Sequence, residues 1–168
     1  MRKNMVLCCI FLFVCNCSTL KSQGLTIRET INNIDTLLET NPYYDSFNEI
    51  AFYYSVDITS KNELVVTLES KGNFKTIFKT KISDLDHSYQ KDFCSKNPGC
   101  ISWYCKSKDK TKSDGCVSVT GTIPGDMEAN YNQDNISVMF SNEALICDKL
   151  YNAFNYIFIK VLKSEIKE

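Results

Sequence analysis

The stretch IAFYYSVDITSKNELVVTLESKGNFKTIFKTKI, Ile50 to Ile82, decides the fold. Ile50, Phe52, Tyr54, Val56 and Ile58 alternate with Ala51, Tyr53, Ser55, Asp57 and Thr59, the period-two pattern of a strand with one buried face. Ser60 to Glu63 is a polar turn, after which Leu64, Val66 and Leu68 resume the alternation. Beyond Lys71-Gly72-Asn73, the residues Phe74, Phe78 and Ile82 form a third apolar line, with Lys75, Lys79 and Lys81 opposite. Short polar connections join antiparallel neighbours, so the segment predicts a three-stranded meander.

Upstream of the meander the period changes to that of a helix. Thr26-Ile27-Arg28-Glu29 is a capping box, in which the threonine hydroxyl accepts from the third helical N–H while Glu29 reaches back. Ile27, Ile31, Ile34 and Leu38 recur at helical spacing, and Asn41-Pro42 ends the run, which predicts a helix over 27–40.

Downstream, Asp84 to Asn97 is a polar loop. ISWYCK (101–106) and CVSVTGTI (116–123) have the composition of two strands and are expected to pair as a hairpin. A polar stretch runs to Asn135, then Ile136, Val138 and Phe140 mark one more strand. Leu150, Phe154, Ile157 and Val161, with Ala144, Tyr151, Phe158 and Leu162 beside them, form the broad apolar stripe of a long helix. Ser141 or Asn142 is expected to cap it, with Glu143 in its first turn.

The expected architecture is α+β. A curved antiparallel sheet, made of the meander, a disulfide-bearing hairpin and one further strand, is packed by an N-terminal helix and a long C-terminal helix. Residues 25–168 are expected to form a single domain with a cystine-rich insertion at about 87–116. The element order resembles the pleckstrin-homology-like topology, a strand-rich roll closed by a C-terminal helix. That resemblance implies a roll and no particular chemistry.

Residues 1–24 read as a signal peptide. Arg2 and Lys3 precede an unbroken apolar run from Met5 to Cys15, about half the roughly 20 residues a membrane-spanning helix needs. Ser22 and Gly24 put small residues at −3 and −1 of a cut before Leu25. Acylation of Cys15 or Cys17 is the alternative, although Val14 and Asn16 stand where a small residue is wanted. Cleavage removes three of the 19 basic residues and no acidic one, leaving 16 against 20 and a net charge of −4. The mature chain is expected to contain no membrane span, and its compartment to be secreted, periplasmic or cell-envelope.

Five of the nine cysteines remain after cleavage: Cys94, Cys100, Cys105, Cys116 and Cys147. In an exported protein this density implies disulfides. The spacings C-x5-C, C-x4-C and C-x10-C contain no C-x2-C knuckle, so neither a zinc site nor a thioredoxin-like motif is expected. Pro98-Gly99 is a turn signal that would bring Cys94 to Cys100, and the expected hairpin would bring Cys105 to Cys116. Cys147 shares the register of Leu150 and Phe154 and is expected to be a buried free thiol.

Composition narrows function more than it defines it. An apolar fraction of 43% with a net charge of −1 excludes a disordered chain, and a sequence pI of about 5.9 gives no support to nucleic-acid binding. No phosphate loop, dinucleotide fingerprint or G-x-S-x-G occurs, and neither a cofactor nor a metal is expected. Asp84, Asp86 and His87, the one histidine, could form a hydrolase or metal centre, but a solvated strand-to-loop turn, in which aspartate and serine bond the local backbone, is the favoured explanation. Two aromatic groups could bind something. In Tyr43, Tyr44, Phe47, Phe52, Tyr53 and Tyr54, alternate members are expected to fill the core. Trp103 and Tyr104, on an excursion between cysteines, are expected to form a contact surface with Lys106, Lys108 and Lys110. Asn135-Ile136-Ser137 also matches a glycosylation sequon.

The sequence therefore favours an exported, non-catalytic recognition or structural module whose partner is an unknown protein or envelope component. A carrier of a small apolar ligand between sheet and C-terminal helix is the alternative. Material made with its own leader is expected to have the intact mass of a chain starting at Leu25. Retention of residues 1–24, or an added lipid mass on Cys17, would overturn soluble export.

Overall fold

The computed structural model describes residues 25–70, 74–86, 94, 96–106, 115–123, 127–142 and 146–165. Its elements in chain order are α1 (Ile27–Thr40), β1 (Tyr43–Asp45), β2 (Ile50–Ile58), β3 (Glu63–Ser70), β4 (Phe74–Lys81), β5 (Leu85–Asp86), β6 (Gly99–Cys105), β7 (Val117–Ile123), β8 (Met127–Gln133), β9 (Asn135–Phe140) and α2 (Cys147–Glu165). The fold is α+β and mostly antiparallel sheet. Six strands lie in the order β1-β2-β3-β4-β7-β8 and three in the order β5-β6-β9.

The capping box forms at the start of α1. Glu29 N–H donates to the Thr26 hydroxyl at 3.2 Å, and Thr26 N–H donates to the Glu29 carboxylate at 2.7 Å. Ile31, Ile34 and Leu38 turn inward from α1. The meander forms as β2-β3-β4, its register pairing Val56 with Val66 and Val66 with Phe78. Its solvent face carries the exposed Lys75–Glu69 pair at 3.9 Å and the Lys79–Glu63 pair at 3.0 Å.

The expected hairpin of 101–106 with 116–123 does not form. β6 pairs with β5 and β9, whereas β7 joins the first sheet between β4 and β8. The reason is the inward face of each strand. Ile101 and Trp103 of β6 are buried with α2, while Val117 and Val119 of β7 continue the inner rows begun by β4. Within the segment 87–116, β6 contributes Ile101 and Trp103 to the core. The polar stretch before Asn135 is itself a strand, β8, in which Ala129 is the one buried side chain.

The helix α2 starts at Cys147, later than a cap at Ser141 or Asn142 implies, and Glu143 lies outside the described residues. Asn142 still serves the helix, because its Oδ1 accepts from Cys147 N–H at 3.3 Å. It is buried, and its amide also donates to the carbonyl of Cys94 at 2.6 Å and to that of Lys96 at 3.3 Å. One side chain thus gathers the segment before β6 and the start of α2.

This gathering corrects the disulfide pattern. Cys94 bridges Cys147, Cα to Cα 5.4 Å, and Cys100 is the free cysteine among those described. Cys100 already lies in β6 opposite Met139, so the turn at Pro98-Gly99 starts a strand and does not close back on Cys94. Cys147 is buried as expected, but bridged. Cys105 bridges Cys116 at 5.7 Å, tying the end of β6 to the start of β7 across the two sheets.

Two polar contacts seal the remaining seams. Among the described residues β2 has no strand partner beyond β1 on one side, and there Asp35 of α1 accepts from Val56 N–H at 2.8 Å. Burial raises the Asp35 carboxyl above its ordinary value and this hydrogen bond partly offsets it. Tyr54 of β2 takes a backbone hydrogen bond from Met139 of β9, and burial lifts its phenol well above the ordinary range.

Peptide mapping without reduction is expected to yield Cys94–Cys147 and Cys105–Cys116 as linked peptides and Cys100 as the alkylatable thiol. The sequence separations are 53 and 11 residues. Replacing each pair by alanine is expected to cost about 4 and about 3 kcal/mol on the chain-entropy relation. A larger loss for the short loop would contradict that ordering.

Candidate functional site

The expected contact surface is only partly a surface. Trp103 is 2% exposed, and its ring meets Phe154 at 4.6 Å and Phe158 at 5.4 Å, both edge-on. It is a core residue, because β6 turns that parity toward α2. These rings occupy the space between the three-stranded sheet and the C-terminal helix. Tyr104, its neighbour, points the other way and is 46% exposed. Lys106 is exposed and its ammonium donates to the Ser83 carbonyl at 2.7 Å. Lys108 and Lys110 lie outside the described residues, as do His87, Cys15 and Cys17. Asp86 is exposed on β5, and the carbonyl of Asp84 accepts from Lys106 N–H at 2.8 Å. Among the described residues, no three His, Cys, Asp or Glu side chains stand where they could hold a metal ion.

The β6–β9 face around Tyr104 is a ladder of small polar groups. Register sets Cys100 opposite Met139, Ser102 opposite Ser137 and Tyr104 opposite Asn135. The two serine hydroxyls are 2.7 Å apart, Cys100 Sγ is 3.4 Å from the Ser102 hydroxyl, and Asn135 donates to Ser137 at 3.2 Å. The sequon asparagine is therefore engaged within the sheet. Asp86 of β5 lies opposite Tyr104 at the end of this ladder of thiol, hydroxyls and amide.

The other aromatic group divides sharply. Tyr43 stacks on Phe52 at 5.4 Å and Phe52 packs on Phe74 at 5.6 Å, while Tyr54 is buried. Tyr44 is 56% exposed, and Phe47, at the tip of the β1–β2 turn, is 92% exposed. The turn that displays it is held by one carboxylate. Asp45 Oδ1 accepts from Phe47 N–H at 2.9 Å and Asn48 N–H at 3.4 Å, and Oδ2 accepts from the Asn48 amide at 2.6 Å. The Asn48 bond first, then the Phe47 bond, hold the Asp45 carboxyl below its ordinary value. Glu49 closes the turn at φ +55°. The result is an exposed aromatic side chain on a hydrogen-bonded turn, between two acidic residues in sequence.

Sequence reasoning missed Phe47 by counting it with the core aromatics. The available signal was Asp45-Ser46-Phe47-Asn48, in which an aspartate bonds backbone two residues ahead.

Asp45→Ala is expected to speed amide exchange at Phe47 and Asn48 by about tenfold, with Asp45→Asn in between because it keeps an acceptor. Unchanged exchange in the alanine variant would show that the carboxylate does not hold the turn. No protein-family description, curated protein or solved structure matches the chain.

Proposed function

We propose that this chain is an exported, non-catalytic recognition module of the cell envelope or extracellular space, and that the Phe47 turn is the part its partner grips. One observation supports this above the others: Phe47 is 92% exposed on a turn already ordered by Asp45. A fixed loop loses little entropy on binding, and an aromatic side chain entering a pocket is the usual energetic centre of a recognition surface. Asp45 and Glu49 flank it, so the fitting partner is a protein with an apolar pocket and a basic rim. The compartment fits as well. Two disulfides belong in an oxidising environment, and no helix among the described residues is long and apolar enough to cross a membrane.

The test is affinity capture from the envelope and medium fractions of the native host, with wild type, Phe47→Ala and Lys106→Ala as bait. A protein recovered by wild type and by Lys106→Ala but lost with Phe47→Ala, reconstituted from purified parts with at least a tenfold affinity loss for the alanine variant, is the expected outcome. Equal recovery by all three baits, or loss with Lys106→Ala alone, would refute the assignment of the Phe47 turn.

A further inference from the structure

The edges of the two sheets are not treated alike. β1 is three residues long, and where β2 runs past it the free backbone is bonded by Asp35. β5 is two residues long. β9 is bonded along its outer side through Met139 N–H to Tyr54, and just past its end Ser141 N–H donates to the Asn41 carbonyl at 3.1 Å. β8 is different. It is seven residues long, it ends the six-stranded sheet, and among the described residues no strand pairs with its outer edge. Exposed edges are normally blunted by charged side chains (lysine above all), proline, a bulge or shortness, and Met127-Glu128-Ala129-Asn130-Tyr131-Asn132-Gln133 contains no lysine, no proline and a single charge, Glu128.

We propose that β8 is a homodimerisation edge, pairing antiparallel with β8 of a second copy about a two-fold axis through Asn130. The argument is self-complementarity. Centring the pair on Asn130 overlaps all seven residues and sets Met127 opposite Gln133, Glu128 opposite Asn132 and Ala129 opposite Tyr131. The one charge of the strand then faces an amide, and the two Glu128 residues are offset by four positions, about 14 Å. At that distance salt screens their repulsion. Centring on Glu128 would set like charges directly opposite, which is destabilising. The side-chain parity agrees. Ala129 and Tyr131 belong to the inner face with Val119 and Gly121; Ala129 is already buried within its own chain, so the apolar surface that pairing would cover on this face is that of the 49% exposed Tyr131 of each copy. Glu128, Asn130 and Asn132 form the wet outer face in both copies. The product is one continuous twelve-stranded sheet with both β8 edges closed, an isologous and finite assembly.

The experiment is sedimentation equilibrium on oxidised protein recovered from cells expressing the whole reading frame, with circular dichroism to confirm folding of each variant. Wild type is expected to shift from one to two chain masses as concentration rises. Asn130→Lys and Asn130→Glu, at an exposed position that would face itself across the axis, are each expected to stay monomeric. Their equimolar mixture is expected to regain the dimer, because lysine then faces glutamate. Asn132→Lys, placed opposite the partner's Glu128, is expected to dimerise more tightly than wild type by severalfold. A wild type that is monomeric throughout would overturn the proposal and leave the edge to an extended peptide of another protein. Single Asn130 variants that still dimerise, a mixture that stays monomeric, or mass growth beyond two chains would overturn it as well. None of these readouts involves Phe47, so the dimer edge and the recognition turn fail independently.

Discussion

The indole of Trp103 against Phe154 and Phe158 is the contact on which the arrangement of this chain turns. Side chains alternate along a strand, so once β6 commits Trp103 to the helix the orientation of every neighbour follows. Ile101 goes inward with Trp103, and Cys100, Ser102 and Tyr104 go to the opposite face. Cys105 shares the parity of Trp103, is partly buried against the core and meets Cys116. Cys100 has the wrong parity for that side and stays a thiol. The cysteine chemistry is thus a consequence of where one aromatic ring packs. Burial of Trp103 and the two phenylalanines contributes on the order of 2–3 kcal/mol for each side chain, comparable to a disulfide.

What could be read from sequence is what has a period. The alternation of Ile50 to Ile58, the four-residue spacing of Ile27 to Leu38 and the capping box at Thr26 each determine a local geometry, and the structure has all three. Alternation does not say which strand is the neighbour, and for that reason β6 and β7, adjacent in sequence, could be mistaken for a hairpin. β8 left no periodic trace because both its faces are wet except at Ala129. Cys147 was correctly placed on the buried face of its helix, but a buried face can hold the end of a bridge as readily as a free thiol. The polar hub that decides the matter, Asn142, has no sequence signature at all, since its three bonds reach Cys94, Lys96 and Cys147 only through the fold.

The two staples and the polar seams divide the work of closing the molecule. Cys105–Cys116 joins sheet to sheet at one end of β6, and Cys94–Cys147 joins the approach to β6 with α2 at the other. Between them, Asp35 and Tyr54 supply partners to backbone groups of β2 and β9 that strand pairing leaves over. Burying such groups unbonded would cost about 1–3 kcal/mol apiece, which these side chains avoid at the open sheet edges. The raised carboxyl of Asp35 makes the charged form the less favoured one in the fold, so its contribution to stability falls as pH rises through the ordinary aspartate range.

Setting aside what the fold requires exposes what it does not. Tyr43, Phe52 and Phe74 form the base of the β1–β2 turn, and Asp45 with Asn48 supplies the bonds that shape it. Phe47 contributes to neither. Leaving a phenylalanine in water forgoes roughly 2 kcal/mol that its burial would bring. Turn positions are ordinarily met by glycine, asparagine, aspartate or serine, and Ser46 and Asn48 on either side show the local chemistry was open to them. Trp103, the residue whose composition suggested recognition, is consumed by packing. Phe47, which looked like packing, is at 92% the most exposed of the large apolar side chains among the described residues, and neither the core nor the turn's hydrogen bonds require it.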